Sequence, residues 1–124
     1  MALIIPNQKV GRDSHMQGFY ALYYTGVAGF GHAVIVMKDG TIVGADATGG
    51  TYDGTYEAVG DNIDIRVDLT VPAGGTLVTG QSLAQSMTQS ITATLPMHFG
   101  NGQPVAVRTP MGPVNVIFKK LRDA

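Results

Sequence analysis

The sequence predicts a single-domain antiparallel β-barrel of about eight strands, and three observations lead to this prediction. Short stretches in which apolar and polar residues alternate follow one another along most of the chain, and a period of two is typical of strands with one buried face. Glycine-containing turns separate these stretches at close spacing, as in consecutive hairpins. The chain has 124 residues and no cysteine, so a hydrophobic core rather than disulfides has to hold the fold.

The first four strands are predicted from aromatic density and from a hairpin signal. Residues 18–25 are rich in aromatic side chains, which favour a strand, and residues 31–38 form a second apolar strand. Asp39 and Gly40 follow directly, and this pair is typical of a type I′ turn, which needs positive φ at both central positions. Strands three and four are expected over 41–47 and 51–59.

The fifth predicted strand, residues 63–71, has the clearest period. Its odd-numbered residues are apolar and its even-numbered residues are polar, and a helix would scatter both sets around its circumference. A register slip of one residue would move every apolar side chain into water, so this strand fixes the orientation of the sheet. The apolar residues are Ile63, Ile65, Val67, Leu69 and Val71.

The second half of the chain adds three strands and one ambiguous segment. Residues 81–87 fit either a short helix or the approach to a strand, whereas alternation predicts a strand over 88–95. Further strands are expected over 104–109 and 113–120. Eight short strands fit a barrel or a sandwich, and we favour the barrel because closure removes edges that a chain with only 14% charged residues guards poorly.

Two features suggest how the domain is bounded and what it contacts. Residues 1–15 show no period and are interpreted as an irregular N-terminal extension, so that 16–124 form the barrel. The first two strands are apolar on both faces, although a barrel wall needs only one apolar face. We therefore expect a homodimer, and the candidate interface residues are Tyr20, Leu22, Tyr24 and Ile35.

Composition argues against several classes of function. The net charge is −1 and no basic cluster is present, so nucleic-acid binding is not expected. No apolar run is long enough to span a membrane as a helix, and the start of the chain lacks the form of a signal peptide, so a cytoplasmic location is the default. The three histidines lack metal-ligand spacing, and neither a metal nor a cofactor is expected.

The candidate chemistry is sparse and each element has a structural alternative. Asp46 could act as a catalytic acid together with His32, but a turn aspartate that caps backbone amides is the interpretation we favour. Tyr52 and Tyr56 flank Gly54 on one face. Together with Phe99, these tyrosines are the candidate ligand-binding residues, although packing of the core is the interpretation we favour for the two tyrosines. No enzymatic activity is therefore expected.

The order of motifs over residues 16–71 resembles a known family. The motifs are Gly18-Phe19-Tyr20, then Lys38-Asp39-Gly40, then Gly44 and Asp46, and finally Tyr52-Asp53-Gly54-Thr55-Tyr56. In this order they are similar to the GrlR-type negative regulators of type III secretion gene expression. One departure is visible: the family carries a run of acidic residues in the turn before strand five, whereas residues 58–62 here contain only Asp61.

The resemblance implies a lipocalin-like barrel that dimerises and binds a transcriptional activator. We therefore expect a non-enzymatic binding or regulatory module whose partners are a second copy of the chain and a regulatory protein. The alternative from a different class is a carrier that holds a small apolar ligand in the barrel interior. A large internal cavity would favour this alternative, whereas a filled core would exclude it.

Overall fold

The computed structural model describes residues 16–124, so the extension predicted for 1–15 lies outside the described residues. It is all-β, and the described part contains essentially no helix. The strands are β1 (Gly18–Gly26), β2 (Gly29–Lys38), β3 (Thr41–Asp46), β4 (Thr51–Val59), β5 (Asn62–Val71), β6 (Met87–Pro96), β7 (Asn101–Thr109) and β8 (Gly112–Arg122).

The eight strands form one antiparallel sheet that curls into a nearly closed barrel. Their order is β6-β5-β4-β3-β2-β1-β8-β7, so most strands lie beside their neighbours in sequence, and β1 also pairs with β8. The seam of the barrel lies between β6 and β7, which end the hydrogen-bonded order. The eight-stranded barrel is therefore confirmed, and residues 81–87 approach β6 without forming a short helix.

The period of two places the core as the sequence predicts. Along β5, Ile63, Val67 and Val71 are buried, whereas Asp64 and Asp68 are exposed. The same alternation continues on β6, which pairs with β5 over the full length of both strands. One face of each strand therefore lines the barrel interior and the other faces outward.

Two glycines show how the chain meets the demands of this fold. The β2–β3 hairpin turns at Asp39 and Gly40, which have φ of 52° and 80°, as the type I′ prediction requires. In β4, a Cβ atom at Gly54 would collide with the backbone carbonyl of Arg66 on β5. The two strands approach each other closely because position 54 has no side chain.

The two ends of the barrel are built differently. We call the end with the β1–β2, β3–β4, β5–β6 and β7–β8 connections the upper end, and the opposite end the lower end. At the lower end Phe99 stacks on Tyr20 with ring centroids 5.1 Å apart, and it meets Phe118 edge-on at 5.3 Å. The Tyr20 hydroxyl donates a hydrogen bond to the carbonyl of Met16, which is also buried. Aromatic rings therefore fill the lower end.

Candidate functional site

The barrel interior contains a cavity of about 190 Å³, which is lined from the upper end down to Met37, Ile42 and Leu95. Most of its lining is apolar and comes from the inner faces of the strands and from the connection between β5 and β6. Among the described residues, the cavity wall carries no lysine, arginine or histidine, and Asp46 is its only charged residue. Its polar side chains include Tyr24, Asp46, Tyr52 and Gln89, whereas Leu69 and Ile91 belong to its apolar wall.

The long connection between β5 and β6, residues 72–86, covers the upper end of the cavity. Its residues Leu77 and Val78 line the cavity wall. The segment is attached to the barrel by a 2.7 Å hydrogen bond from the amide of Ala28 to the carbonyl of Val78. On the far side the Gln81 amide group donates to the carbonyl of Met111 at 3.4 Å. We refer to 72–86 as the cover segment, since it lies over the opening of the cavity.

Asp46 closes the turn between β3 and β4. Its Oδ1 atom accepts hydrogen bonds from the amides of Thr48 at 3.0 Å and Gly50 at 2.8 Å, and from the Thr48 hydroxyl at 2.9 Å. Its Oδ2 atom accepts from the hydroxyls of Tyr52 at 3.2 Å and Tyr24 at 3.4 Å. This is the turn-capping role that we favoured, and both carboxylate oxygens are already engaged.

The two tyrosines that donate to Asp46 are held in the neutral form. Burial is the main cause that raises the pKa of Tyr52, and the charge of Asp46 adds to it. The pKa of Tyr24 is raised for the same two reasons. A phenolate here would be poorly hydrated and would face a carboxylate, so both tyrosine hydroxyls keep their protons at neutral pH.

Gln89 is the one polar side chain on the inward face of β6. It lies on the inner face of β6 and is only 8% exposed. Its Oε1 atom is buried and has no hydrogen-bond partner among the described residues. A buried acceptor without a partner costs free energy, and such atoms are uncommon in folded proteins. Alternation predicts the strand that contains Gln89 without marking the residue as functional, although a polar side chain at an inward position was a visible signal.

The structure separates the three candidate ligand-binding residues. Tyr52 lines the cavity. Tyr56 and Phe99 are buried in the hydrophobic core and do not line this cavity, and Phe99 belongs to the aromatic cluster of the lower end. The pocket therefore combines Tyr52 with Gln89 and the cover segment rather than with the other two aromatics.

The four candidate interface residues point inward. Tyr20, Leu22 and Ile35 are buried inside the barrel, and Tyr24 lines the cavity. These side chains cannot reach a second chain across the outer wall, so an interface on these strands must use the opposite face. Because both faces of β1 and β2 are apolar, parity alone did not indicate which face was inside.

The opposite face presents several apolar side chains on neighbouring strands. Phe19 on β1 is opposite Val36 on β2, which in turn is opposite Val43 on β3. Tyr23 on β1 is opposite Ile117 on β8. Several of these side chains are well exposed, with Tyr23 at 53% and Val43 at 56%. We define Phe19, Tyr23, Val34, Val36, Val43 and Ile117 as the outer apolar surface.

The pairing of Asp46 with His32 does not form. Ala33 is opposite Asp46 in the β2–β3 ladder, so the preceding residue, His32, lies on the outer face and is exposed. Asp46 faces the cavity on the other side of the wall. Within residues 16–124, no three histidine or carboxylate side chains come together as a metal site.

Comparison with known proteins adds no family assignment. No family model matches the chain, and no curated protein matches it significantly. In the part of the chain that the structure describes, no helix has the length and apolar character needed to cross a membrane.

Proposed function

We propose that this protein is a non-enzymatic binding module that holds a small, mainly apolar ligand inside its barrel. The observation that supports this proposal most directly is the 190 Å³ cavity inside the barrel. An engineered apolar cavity of about 150 Å³ is large enough to bind benzene, whereas pockets for drug-sized ligands begin at roughly 300 Å³. The ligand would therefore be a molecule of one or two rings, or an aliphatic molecule of similar volume.

The walls and the cover segment suit such a ligand. Apolar contacts with Leu69, Ile91 and Leu77 would provide affinity, since burial of apolar surface contributes about 25 cal/mol per Å². The cover segment would have to move aside for exchange. Its attachment through Ala28 and Gln81 consists of a few hydrogen bonds, which open at modest cost.

The test is an NMR titration of the ¹⁵N-labelled protein with benzene. We expect saturable shifts at amides of the inner wall, such as Leu69 and Ile91. Ile91→Phe should abolish these shifts because the larger ring occupies part of the cavity. The matched control is Thr92→Phe, since Thr92 is the next residue on β6 and faces outward. Absence of saturable shifts in the wild-type protein, or equal shifts in the Ile91→Phe variant, would overturn the proposal.

A second candidate function is the regulation of a transcriptional activator through protein contact. The outer apolar surface favours it, because contiguous exposed apolar side chains often mark protein-binding faces. The resemblance to the GrlR-type regulators adds the expectation of a homodimer. The turn at Gly60 and Asp61 lacks the acidic run of that family, so we place the contact on the outer wall instead of this turn.

The regulatory candidate makes its own prediction. Val34→Arg introduces a charge within the outer apolar surface while the cavity, on the opposite face, stays intact. If the protein acts through this surface, the variant should lose repression of an activator-dependent reporter but still bind benzene. Unchanged repression would contradict the regulatory candidate without affecting the ligand-binding proposal.

A further inference from the structure

The inner wall of the cavity presents one uncharged polar group that nothing in the described chain satisfies. On β6 the inward positions are Met87, Gln89, Ile91, Ala93 and Leu95, and Gln89 is the polar member of this row. Its Oε1 atom is buried without a hydrogen-bond partner, and the residue lines the cavity. A polar side chain that breaks the pattern of a core strand costs stability, and such local conflicts are typical of functional sites.

The polar side chain that lies in the same row as Gln89, two strands away, is already paired. Leu69 on β5 lies between Tyr52 on β4 and Gln89 on β6 in a single transverse row. The Tyr52 hydroxyl donates to Asp46, and the Asp46 carboxylate also accepts hydrogen bonds from the turn amides. The carboxamide of Gln89 is thus the group in this row that remains available to a ligand.

The charges of the wall restrict the ligand further. Asp46 is negative, and the cavity lining has no basic side chain among the described residues. An anionic ligand, such as a carboxylate, would be buried beside a negative charge without a counter-ion, which is strongly unfavourable. A cation would find both Asp46 oxygens occupied by five donors. The wall therefore favours a neutral molecule.

From these three observations we propose that Gln89 selects the ligand, which is a small neutral ring compound with one hydroxyl or N–H group that donates to Gln89 Oε1. This class comprises phenols, alicyclic alcohols and N–H heterocycles. Gln89 favours these compounds over plain hydrocarbons, whereas the charge of Asp46 and the lack of a basic side chain in the described lining disfavour fatty-acid-like carboxylates. The inference rests on the proposed function, because it assigns the polar contact of the same cavity.

The experiment compares two probes of almost identical shape, indole and benzofuran, which differ in a single N–H donor. Binding is measured by isothermal titration calorimetry, and indole fluorescence gives a second readout because the chain contains no tryptophan. We expect indole to bind about three- to tenfold more tightly than benzofuran, the effect of one net hydrogen bond. Indole-2-carboxylate should bind more weakly than indole.

The variant Gln89→Met tests the role of the amide. Methionine has a similar length and no donor or acceptor of comparable strength, so the preference for indole over benzofuran should disappear. The matched control is Gln103→Met, at an exposed position of β7, and it should keep the preference.

The outcomes separate this inference from the proposed function. Equal affinity for the two probes in the wild-type protein, or an indole preference that survives in Gln89→Met, would overturn the selection by Gln89 while the ligand-binding module stands. If the wild-type protein binds none of the three probes, indole, benzofuran and benzene, the proposed function and the inference are overturned together.

Discussion

Replacement of Gln89 by methionine should stabilise the ligand-free protein, although most substitutions of buried residues destabilise. The side chain is 8% exposed, and its Oε1 atom is buried without a partner among the described residues. Leaving such an acceptor unsatisfied costs about 1–3 kcal/mol. Methionine fills a similar length with apolar atoms, so the variant removes this cost without opening a large cavity. We expect the free energy of unfolding to rise by about 1–2 kcal/mol.

Urea unfolding at pH 7 measures this change directly. The midpoint should move to a higher urea concentration at an unchanged slope, and the Tm should rise by roughly 4 °C per kcal/mol for a chain of this length. Gln103→Met, at an exposed position, should stay within about 0.5 kcal/mol of the wild type. A loss of stability in Gln89→Met would contradict this prediction, because it would mean that the amide makes a stabilising contact in the folded protein.

Four further predictions concern the β3–β4 turn, the sheet, the tyrosines and the outer wall. Asp46→Ala removes the acceptor of five hydrogen bonds and should cost about 2–4 kcal/mol in urea unfolding, whereas Asp53→Ala, at an exposed position of β4, should cost less than about 0.5 kcal/mol. Gly54→Ala forces a Cβ atom against the backbone of the adjacent strand and should lower the Tm by roughly 8 °C or more. Burial raises the pKa of Tyr52, so the folded state keeps this phenol neutral, whereas the unfolded chain ionises it above pH about 10. The free energy of unfolding should therefore be unaffected by this group below pH about 10 and should fall above it. Tyr52→Phe should make this fall less steep by up to about 1.4 kcal/mol per pH unit. Val34→Arg should convert the expected homodimer into a monomer in size-exclusion chromatography with light scattering.

Each of these predictions has a control or an outcome that contradicts it. For the glycine, Gly29→Ala is the control, because a Cβ atom there meets nothing within 4 Å, and equal effects at both sites would contradict the close-approach explanation. For the outer wall, Thr92→Arg places the same charge on β6, outside the outer apolar surface, and should leave the dimer intact. A wild-type protein that is monomeric at micromolar concentration would contradict the homodimer itself. An identical alkaline profile in the wild type and Tyr52→Phe would contradict the role assigned to that tyrosine.

The strands and their inward faces could be predicted well where one face is polar. On β5 the alternation of Ile63 with Asp64 and of Val67 with Asp68 leaves a single register that buries the apolar set. The hairpin at Asp39 and Gly40 could be predicted for a similar reason, since few residue pairs tolerate positive φ at both positions. In both cases the types of neighbouring residues alone exclude another register of the strand or another type of turn.

The inward face of β1 could not be predicted in the same way. Both Tyr20 and its neighbour Phe19 are aromatic, and parity does not distinguish a core residue from an exposed one when both faces are apolar. The structure places Tyr20 inside and Phe19 outside because the ladder to β8 and the position of Phe99 fix the rotation of the strand. That information is held in contacts between residues distant in sequence.

The cavity is a second feature beyond the reach of sequence patterns. Whether inward side chains fill a barrel depends on the summed volume of residues from all strands and on what covers the ends. Phe99 illustrates this point, since an aromatic residue near a turn was a reasonable candidate for the pocket, yet it packs against Tyr20 and Phe118 at the lower end. The polar position of Gln89 was visible in the alternation of β6, but its lack of a partner was not.

A crystal structure determined under xenon pressure tests most directly whether the barrel interior offers an apolar site for a small ligand. Dry apolar cavities of this size bind xenon, whereas buried polar sites hold ordered water. We predict a xenon peak inside the barrel, within contact distance of Leu69 and Ile91. Side chains that fill this space, or a cavity occupied by ordered water without xenon, would contradict it.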